Sequence, residues 1–283
     1  MNDVLDLKIK ATQIRLEVIN MIYESKTGHT GGSLSSADIL TVLYYNVMNV
    51  DPNNPNWEER DRFILSKGHS VEAYYSVLAD KGYFPKEELK TYCKFGTRLI
   101  GHPNNKIPGV EMNTGALGHG LSIAVGMALG AKMDNKSYRV FALMGDGELA
   151  EGSNWEAAMA ASNYKLNNLI GIVDRNKLQI SGNTEEVMSL EPLEDKWRSF
   201  GWDVLTTDGN DIKKLLYTFN AAIASTNDKP KLILAYTTKG KGISFIENKA
   251  NWHHRVPTEE EYKAAVSELR EQMEVYLNEQ NIK

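Results

Sequence analysis

The chain has 283 residues, a net charge of −5 and one cysteine. Charges of both signs are interspersed, so nothing favours a nucleic-acid-binding surface. The start MNDVLDLKIK lacks a basic segment and no apolar run reaches the roughly 18 residues of a membrane helix, so neither a signal peptide nor a membrane span is expected. A lone Cys93 excludes an internal disulfide and favours a reducing, cytoplasmic location.

The first half of the chain predicts helices separated by glycine-rich loops. Apolar residues recur at helical spacing over residues 4–24, and a second helix is predicted to begin at Ser35 or Ser36 and to continue through Val47. A short apolar run, RFIL, then ends in the glycine turn SKGHS. The stretch GHPNNKIPGVEMNTGALGHGLS has no periodicity of its own. Loops of that length inside a compact domain are usually functional.

The second half predicts four β-strands. Three are continuous apolar runs, which suit strands buried on both faces of a parallel sheet, and one alternates; they lie at 139–144, 168–173, 231–236 and 201–206. Helical patterns separate them, as in βαβ units. We therefore expect an α/β fold with a doubly wound, mostly parallel sheet and helices on both faces. One domain would span residues 1–283 and carry a C-terminal helical extension.

Two helices in this half have specific predicted faces. The segment Ser153-Asn154-Trp155-Glu156 fits a capping box, which predicts a helix that begins there. Its inward stripe would be Trp155, Met159 and Ser162. The C-terminal extension is acidic but periodic, and its docking face is predicted to contain Tyr262, Val266, Leu269, Met273 and Leu277.

Polar residues follow two neighbouring predicted strands. Gly145-Asp146-Gly147 comes after the strand 139–144, and Asn176 follows the strand 168–173. The carboxyl ends of parallel strands share one edge, where open α/β sheets hold ligands. A carboxylate and an amide oxygen suit the hard cations Mg²⁺ and Ca²⁺. Two protein side chains leave coordination positions for a diphosphate, which the glycines would let the backbone approach.

All six histidines lie beside glycine or in predicted loops: His29, His69, His102, His119, His253 and His254. Their spacing matches no zinc pattern. Loops on a rigid scaffold carry functional sites, and histidine titrates near neutral pH without assistance. The pattern therefore predicts a site that moves protons.

Several segments in this order resemble one family over nearly the whole chain: TGHTGGSLSSADIL, DRFILSKGHS, GHPNNKIPGVEMNTGALGHGLS, GDGELAEGSNWEAAMAA, DRNKLQISG, TTKGKGISFIEN and WHHRVP. The Gly-Asp-Gly turn with its downstream Asn resembles the thiamine-diphosphate motif. The whole chain resembles the N-terminal, diphosphate-binding subunit of a split transketolase. The resemblance implies the thiamine-diphosphate-binding fold and the transfer of a two-carbon ketol unit from a ketose or its phosphate to an aldose acceptor.

The resemblance also implies a metal and diphosphate site. Asp146, Asn176 and the main-chain oxygen of Leu178 would bind Mg²⁺ or Ca²⁺. Gly147 and His69 would contact the cofactor diphosphate, and Asn176 would serve the cofactor as well as the metal.

Other positions match residues around the pyrimidine and the substrate. Gly115 and Leu117 match the loop whose backbone touches the aminopyrimidine, and Glu151 matches an acid that links two cofactor sites across the dimer. The implied catalytic residues, which handle sugar hydroxyls and protons, are His29, His102 and His253, the last of which also contacts the cofactor.

Three positions depart from the family pattern. Thr30 replaces a proline, and His119 stands where the family usually has glutamine, which adds a titratable group near the pyrimidine. His254 stands where the family usually has glycine.

Full-length transketolases are more than twice this long, and the glutamate that activates the aminopyrimidine lies in their second domain. The resemblance therefore implies a partner, the C-terminal subunit with the pyrimidine-binding half, in an α2β2 assembly. Two alternatives remain at this point. The chain could be the first domain of a 1-deoxyxylulose-5-phosphate synthase or a cofactor-binding subunit without catalysis of its own.

Overall fold

A five-stranded parallel sheet forms the centre of the computed structural model, which describes residues 3–282. Its strands are β1 (Arg62–Leu65), β2 (Val140–Gly145), β3 (Leu169–Arg175), β6 (Asp203–Asp208) and β7 (Lys231–Tyr236). They lie in the order β1-β2-β3-β7-β6, and every neighbouring pair is parallel. A small antiparallel hairpin of β4 (Leu178–Gln179) and β5 (Gly182–Asn183) follows β3.

Helices cover both faces of this sheet. They are α1 (Val4–Ser25), α2 (Thr30–Val42), α3 (Val71–Lys81), α4 (Gly120–Met133), α5 (Gly152–Asn163), α6 (Thr184–Val187), α7 (Leu193–Ser199), α8 (Ile212–Ala224) and α9 (Glu259–Ile282). Side chains of β2 alternate between two cores: Phe141 and Leu143 pack with α1, α2, α3 and α8, whereas Ala142 and Met144 pack with α4, α5 and α7. The predicted doubly wound α/β fold is confirmed. No helix in the described part is both long and apolar enough to cross a membrane.

The predicted start of α2 is wrong because its serines have other partners. The helix begins at Thr30, and Ser35 and Ser36 lie inside it, fully buried. Ser36 donates a hydrogen bond to the carbonyl of Gly32 at 2.7 Å, and Ser35 donates to the Asp174 carboxylate at 2.6 Å. Both hydroxyls therefore satisfy buried acceptors rather than helix N–H groups.

The predicted capping box of α5 is also wrong. The helix begins at Gly152, and the Ser153 hydroxyl donates to the carbonyl of Gly118 at 2.8 Å instead of capping. The buried face consists of Asn154, Ala157, Ala158 and Ala161. Met159, predicted to point inward, is 58% exposed. Small side chains let α5 pack against α4. Trp155, also predicted to point inward, is half-buried and packs against Trp197.

The C-terminal helix buries apolar side chains only in its first half. α9 packs against α1, with Ala265 and Leu269 buried and the ring of Tyr262 stacked on Tyr23 at 4.1 Å between centroids.

Leu277 is 39% exposed, so this predicted member lies outside the docking face. The helix nevertheless still contacts α1 through Tyr276, whose ring lies 5.4 Å from the Lys8 ammonium. It also contacts α1 through Gln280, which donates to the Asp6 carboxylate.

Candidate functional site

The predicted metal ligands meet at the carboxyl edge of the sheet. Gly145 pairs with Asp174 in the β2–β3 register, which places the turn after β2 against the end of β3. Asp146 is 2% exposed, and its carboxylate accepts backbone hydrogen bonds from Gly147 at 2.8 Å and Lys177 at 2.6 Å. Burial, followed by the nearby Asp174 carboxylate, raises the pKa of Asp146. The side chain is thus a buried carboxylate in a fixed orientation.

Asn176 and Leu178 complete this set of oxygen atoms. The Asn176 side-chain oxygen accepts a hydrogen bond from the Leu178 N–H at 3.1 Å, so the two residues form one tight turn. A carboxylate, an amide oxygen and a carbonyl oxygen together suit a hard divalent cation. Within residues 3–282, no group of three or more His, Cys, Asp or Glu side chains could hold a metal. An ion at this edge would therefore draw further oxygen ligands from a phosphate group or from water, and the residues fit a metal-bound diphosphate.

Glycine keeps the backbone of this region close to its neighbours. A Cβ at Gly147 would lie 3.0 Å from the Cβ of Gln179, and a Cβ at Gly32 would lie 2.7 Å from the Ser70 hydroxyl. At both positions a side chain would occupy the space that the glycine leaves open beside the sheet edge.

Two buried lysines supply positive charge that sequence reasoning missed. Lys67 is 2% exposed, and its ammonium contacts the Asp174 carboxylate and the carbonyl of Gly32. Lys239 is also 2% exposed and donates to the carbonyl of Leu178 at 3.0 Å. Burial, followed by the charge of Lys67, lowers the pKa of Lys239 to about 8. Each lysine lies soon after a parallel strand at this same edge, which is the signal that could have identified them.

Arg175 joins the metal ligands to the segment that follows them. Its guanidinium is 1% exposed and contacts Asp146 at 3.2 Å, Glu185 at 2.7 Å and Glu191 at 2.8 Å. The arginine therefore holds the Asp146 side chain in place and ties the region around α6 to the sheet edge.

Five of the six histidines form one cluster beside this edge. The ring of His29 lies 4.6 Å from that of His254, and the cluster also contains His69, His102 and His253, at 5.2, 6.2 and 5.7 Å from His29 between ring centroids. His119 does not join the cluster, and its Nδ1 instead lies 3.1 Å from the carbonyl of Leu117. The structure thus brings together the four cluster histidines predicted as site residues and adds His254.

Three histidines of the cluster have lowered pKa values. Burial is the main cause in each case, and neighbouring imidazoles and lysines add to it. The pKa of His29 is about 4, that of His253 is about 3, and that of His69 lies well below 6.5. These rings are therefore neutral near neutral pH, where an imidazole can both donate and accept a proton.

The loop predicted to contact a pyrimidine lies between the histidines and the turn after β2. Gly115 has a φ of 147°, and a Cβ there would meet the His102 ring at 2.7 Å. Gly118 donates from its N–H to the buried carboxylate of Glu148 at 2.9 Å. A Cβ at Gly118 would lie 2.5 Å from that of the exposed Glu151. The loop containing Leu117 is therefore held between the His102 ring and the acidic side chains after β2. Glu148, like Lys67 and Lys239, was not indicated by the sequence.

Comparison with known proteins gives one consistent result. Residues 7–276 match the family described as transketolase, thiamine diphosphate binding domain. The chain is 51% identical over 275 residues to an apulose-4-phosphate transketolase subunit of Phocaeicola vulgatus, a match that covers 97% of this chain and 98% of that relative. It is 46% identical over 269 residues to a 6-deoxy-6-sulfo-D-fructose transketolase subunit of a Clostridium species, with coverage of 95% and 98%.

Solved structures give the same result. The transketolase of Campylobacter jejuni superposes with a TM-score of 0.89 at 32% identity over 98% of this chain. That of Leishmania mexicana superposes with a TM-score of 0.85 at 28% identity. In both cases the chain covers 46% of the other protein, so it spans about half the length of these solved transketolases. From its sequence and its fold alike, the chain belongs to the transketolase family and contains the thiamine-diphosphate-binding domain of that family.

Proposed function

We propose that this chain is the N-terminal subunit of a two-chain transketolase. The observation that carries the proposal is the joint position of the oxygen set of Asp146, Asn176 and Leu178, the buried lysines and the imidazole cluster at one sheet edge. The two relatives described above are named as transketolase subunits and match this chain over nearly their full length. The reaction would move a two-carbon ketol unit from a ketose to an aldose.

The substrate class follows from the same relatives. One name specifies a ketose phosphate and the other a sulfo-fructose, so both donors carry an anionic group. We assign to this chain an anionic or hydroxylated ketose as donor and an aldose as acceptor.

Thiamine diphosphate, when bound, supplies the electron sink for the transferred carbon unit. Asp146, Asn176 and the carbonyl of Leu178 would hold Mg²⁺ or Ca²⁺ against the diphosphate. The ammonium groups of Lys67 and Lys239 would offset the remaining phosphate charge in a site with little water, where such charges interact strongly. Gly147 and His69 would contact the diphosphate directly.

The imidazoles would move protons on and off the sugar oxygens. The Lys239 Nζ lies 2.9 Å from the Nδ1 of His253. Because an ammonium can only donate, a charged Lys239 would donate to Nδ1 and the neutral ring would then carry its proton on Nε2. The buried Nδ1 of His29 has no hydrogen-bond partner within the described part of the chain, so it is free to give or take a proton. His102, beside Gly115, would complete the set that handles substrate hydroxyls.

The second subunit would supply the pyrimidine half of the site. Large apolar side chains are exposed near the long glycine-rich loop: Phe95 at 108%, Ile100 at 46% and Met112 at 37%. A partner chain bound at this loop would remove these side chains from water. We propose an α2β2 assembly in the cytoplasm with obligate interfaces above about 2,000 Å², across which Gly115, Leu117 and Glu151 would face the second cofactor half-site.

The test is reconstitution. The chain is purified alone and with its candidate partner, and two-carbon transfer from ketose phosphates is assayed with thiamine diphosphate and Mg²⁺. We expect transfer only in the mixture. Full turnover by the isolated chain would refute the two-chain proposal, and consumption of pyruvate without a ketose donor would instead identify a 1-deoxyxylulose-5-phosphate synthase.

A further inference from the structure

His254 belongs to the imidazole cluster although the proposed mechanism gives it no role. Its ring centroid lies 4.6 Å from that of His29, which is nearer than those of His69, His102 and His253. The side chain is exposed, whereas the other four imidazoles are partly buried. His254 therefore forms the solvent side of the cluster.

The backbone around His254 is held firmly in this position. Trp252 is 2% exposed, and its carbonyl would lie 3.0 Å from a Cβ at Gly31. The hydroxyl of Thr30 donates to the carbonyl of Arg255 at 2.7 Å. Arg255 in turn pairs with Glu261 at 2.6 Å. Anchors on both sides of His254 thus fix its Cα, although its ring is open to solvent.

The ring itself has no partner that explains its place. It makes no hydrogen bond to any residue in the described part of the chain, and its ring contact is with His29. A polar ring on a fixed backbone that has no hydrogen bond of its own can bind a ligand without first breaking a contact in the protein.

We infer that His254 is a specificity-determining residue that hydrogen-bonds a hydroxyl group of the sugar chain beyond the two transferred carbons. This inference rests on the proposed function. The inner imidazoles would meet the reacting carbons, so a ring on the outer side of His29 would meet the part of the sugar that points away from the cofactor. Glycine, which the resemblance described above implies as the usual residue at this position, would offer no such donor or acceptor.

The inference distinguishes donors with and without a sugar chain. A ketose phosphate has hydroxyl groups beyond the transferred unit, whereas hydroxypyruvate has none. Loss of one neutral hydrogen bond corresponds to a change of about three- to tenfold in kcat/KM. We expect kcat/KM to change for the ketose phosphate and not for hydroxypyruvate.

The experiment uses the reconstituted two-chain enzyme with the ketose phosphate that gives the highest turnover, and with hydroxypyruvate. We expect His254→Gly to lower kcat/KM for the ketose phosphate by about three- to tenfold, mainly through KM, while hydroxypyruvate changes less than about twofold. His254→Gln should recover part of the loss, because it restores a donor and an acceptor. The matched control is Asn251→Ala, an exposed residue three positions earlier, which should leave both donors unaffected.

Thiamine-diphosphate affinity is measured for each variant by calorimetry. An equal loss for both donors, or a weaker cofactor affinity in His254→Gly, would overturn the inference, as would an unchanged ratio between the donors. In each of these cases the wild-type enzyme still transfers two carbons, and the proposed function stands. Absence of transfer by the wild-type complex with every ketose would overturn the proposed function and the assignment of His254 together.

Discussion

Glu148 accepts a hydrogen bond from the backbone N–H of Gly118 at 2.9 Å, although 30 residues separate the two in the chain. The same carboxylate accepts from the Ser66 hydroxyl and from the N–H of Gly145. It is 2% exposed, and burial raises its pKa. One side chain thus joins the ends of β1 and β2 to the loop that contains Leu117.

Glu148→Ala should loosen that loop and weaken cofactor binding. Three donors, two of them in buried hydrogen bonds, would lose their acceptor, at about 1–3 kcal/mol for each donor that water cannot reach. We expect a lower melting temperature and at least about tenfold weaker thiamine-diphosphate affinity in the assembled complex. Calorimetry and thermal unfolding measure the two effects. Glu156→Ala, on the exposed side of α5, is the control, and equal behaviour of the two variants would contradict the role given to Glu148.

Asp146→Ala and Asn176→Ala should each abolish measurable thiamine-diphosphate binding in the presence of Mg²⁺. Each change removes one of the two side chains of the proposed metal site, and we expect affinity to fall below the range that calorimetry detects. Titration calorimetry of the assembled complex provides the measurement. Asp195→Ala removes an exposed carboxylate and should bind as the wild type does. An Asp146 variant with unchanged cofactor affinity would rule out the metal assignment.

The histidines should separate into two kinetic classes. His102→Ala is expected to lower kcat by about 10²–10⁴ with cofactor affinity nearly intact, because a positioned proton-transfer group contributes that much. His69→Ala should mainly weaken thiamine-diphosphate binding. His119 lies outside the cluster, so His119→Gln should lower kcat by less than about tenfold. If both alanine variants showed cofactor defects alone, this division of roles would be wrong.

Stability should fall as the pH drops below the pKa of free histidine. The pKa of His29 is lowered from 6.5 to about 4, so between these values the unfolded chain binds a proton that the folded chain does not. The free energy of unfolding therefore decreases with falling pH in this window, by at most about 1.4 kcal/mol per pH unit for this group. Urea unfolding of the isolated chain at several pH values between about 7 and 4.5 measures the slope. His29→Asn should reduce this slope. Equal slopes of the free energy of unfolding against pH for the two proteins would argue against a neutral, buried His29.

Four of the five strands in the central sheet were predictable, because three are apolar throughout and one alternates. The meeting of Asp146 with Asn176 was predictable because parallel strands end at one edge. The strand β1 was recognised only as a short apolar run, since its four residues are too few to show a period. The first turns of α2 and α5 were not, since Ser36 and Ser153 bond to carbonyls that the sequence does not mark as their partners. Burial of Lys67 was equally hidden, because it depends on Asp174, more than 100 residues further along the chain.

Membership of the histidine cluster shows the same limit. All six histidines share a glycine-rich or loop context, yet His254 enters the cluster and His119 does not. The difference lies in how residues 253–255 are tied to α2 by Thr30, a contact between residues 225 positions apart. The residues next to each histidine do not predict a contact between positions so far apart in the chain.

The exposed Phe95, Ile100 and Met112 would be covered only while the proposed partner is bound. Any copy made in excess would keep these side chains in water, where they favour self-association. Binding of a partner to the folded state raises stability by mass action. Balanced synthesis of the two chains, as from one transcript, would then protect this one from aggregation and proteolysis, and overproduction of this chain alone would lower its yield of folded protein.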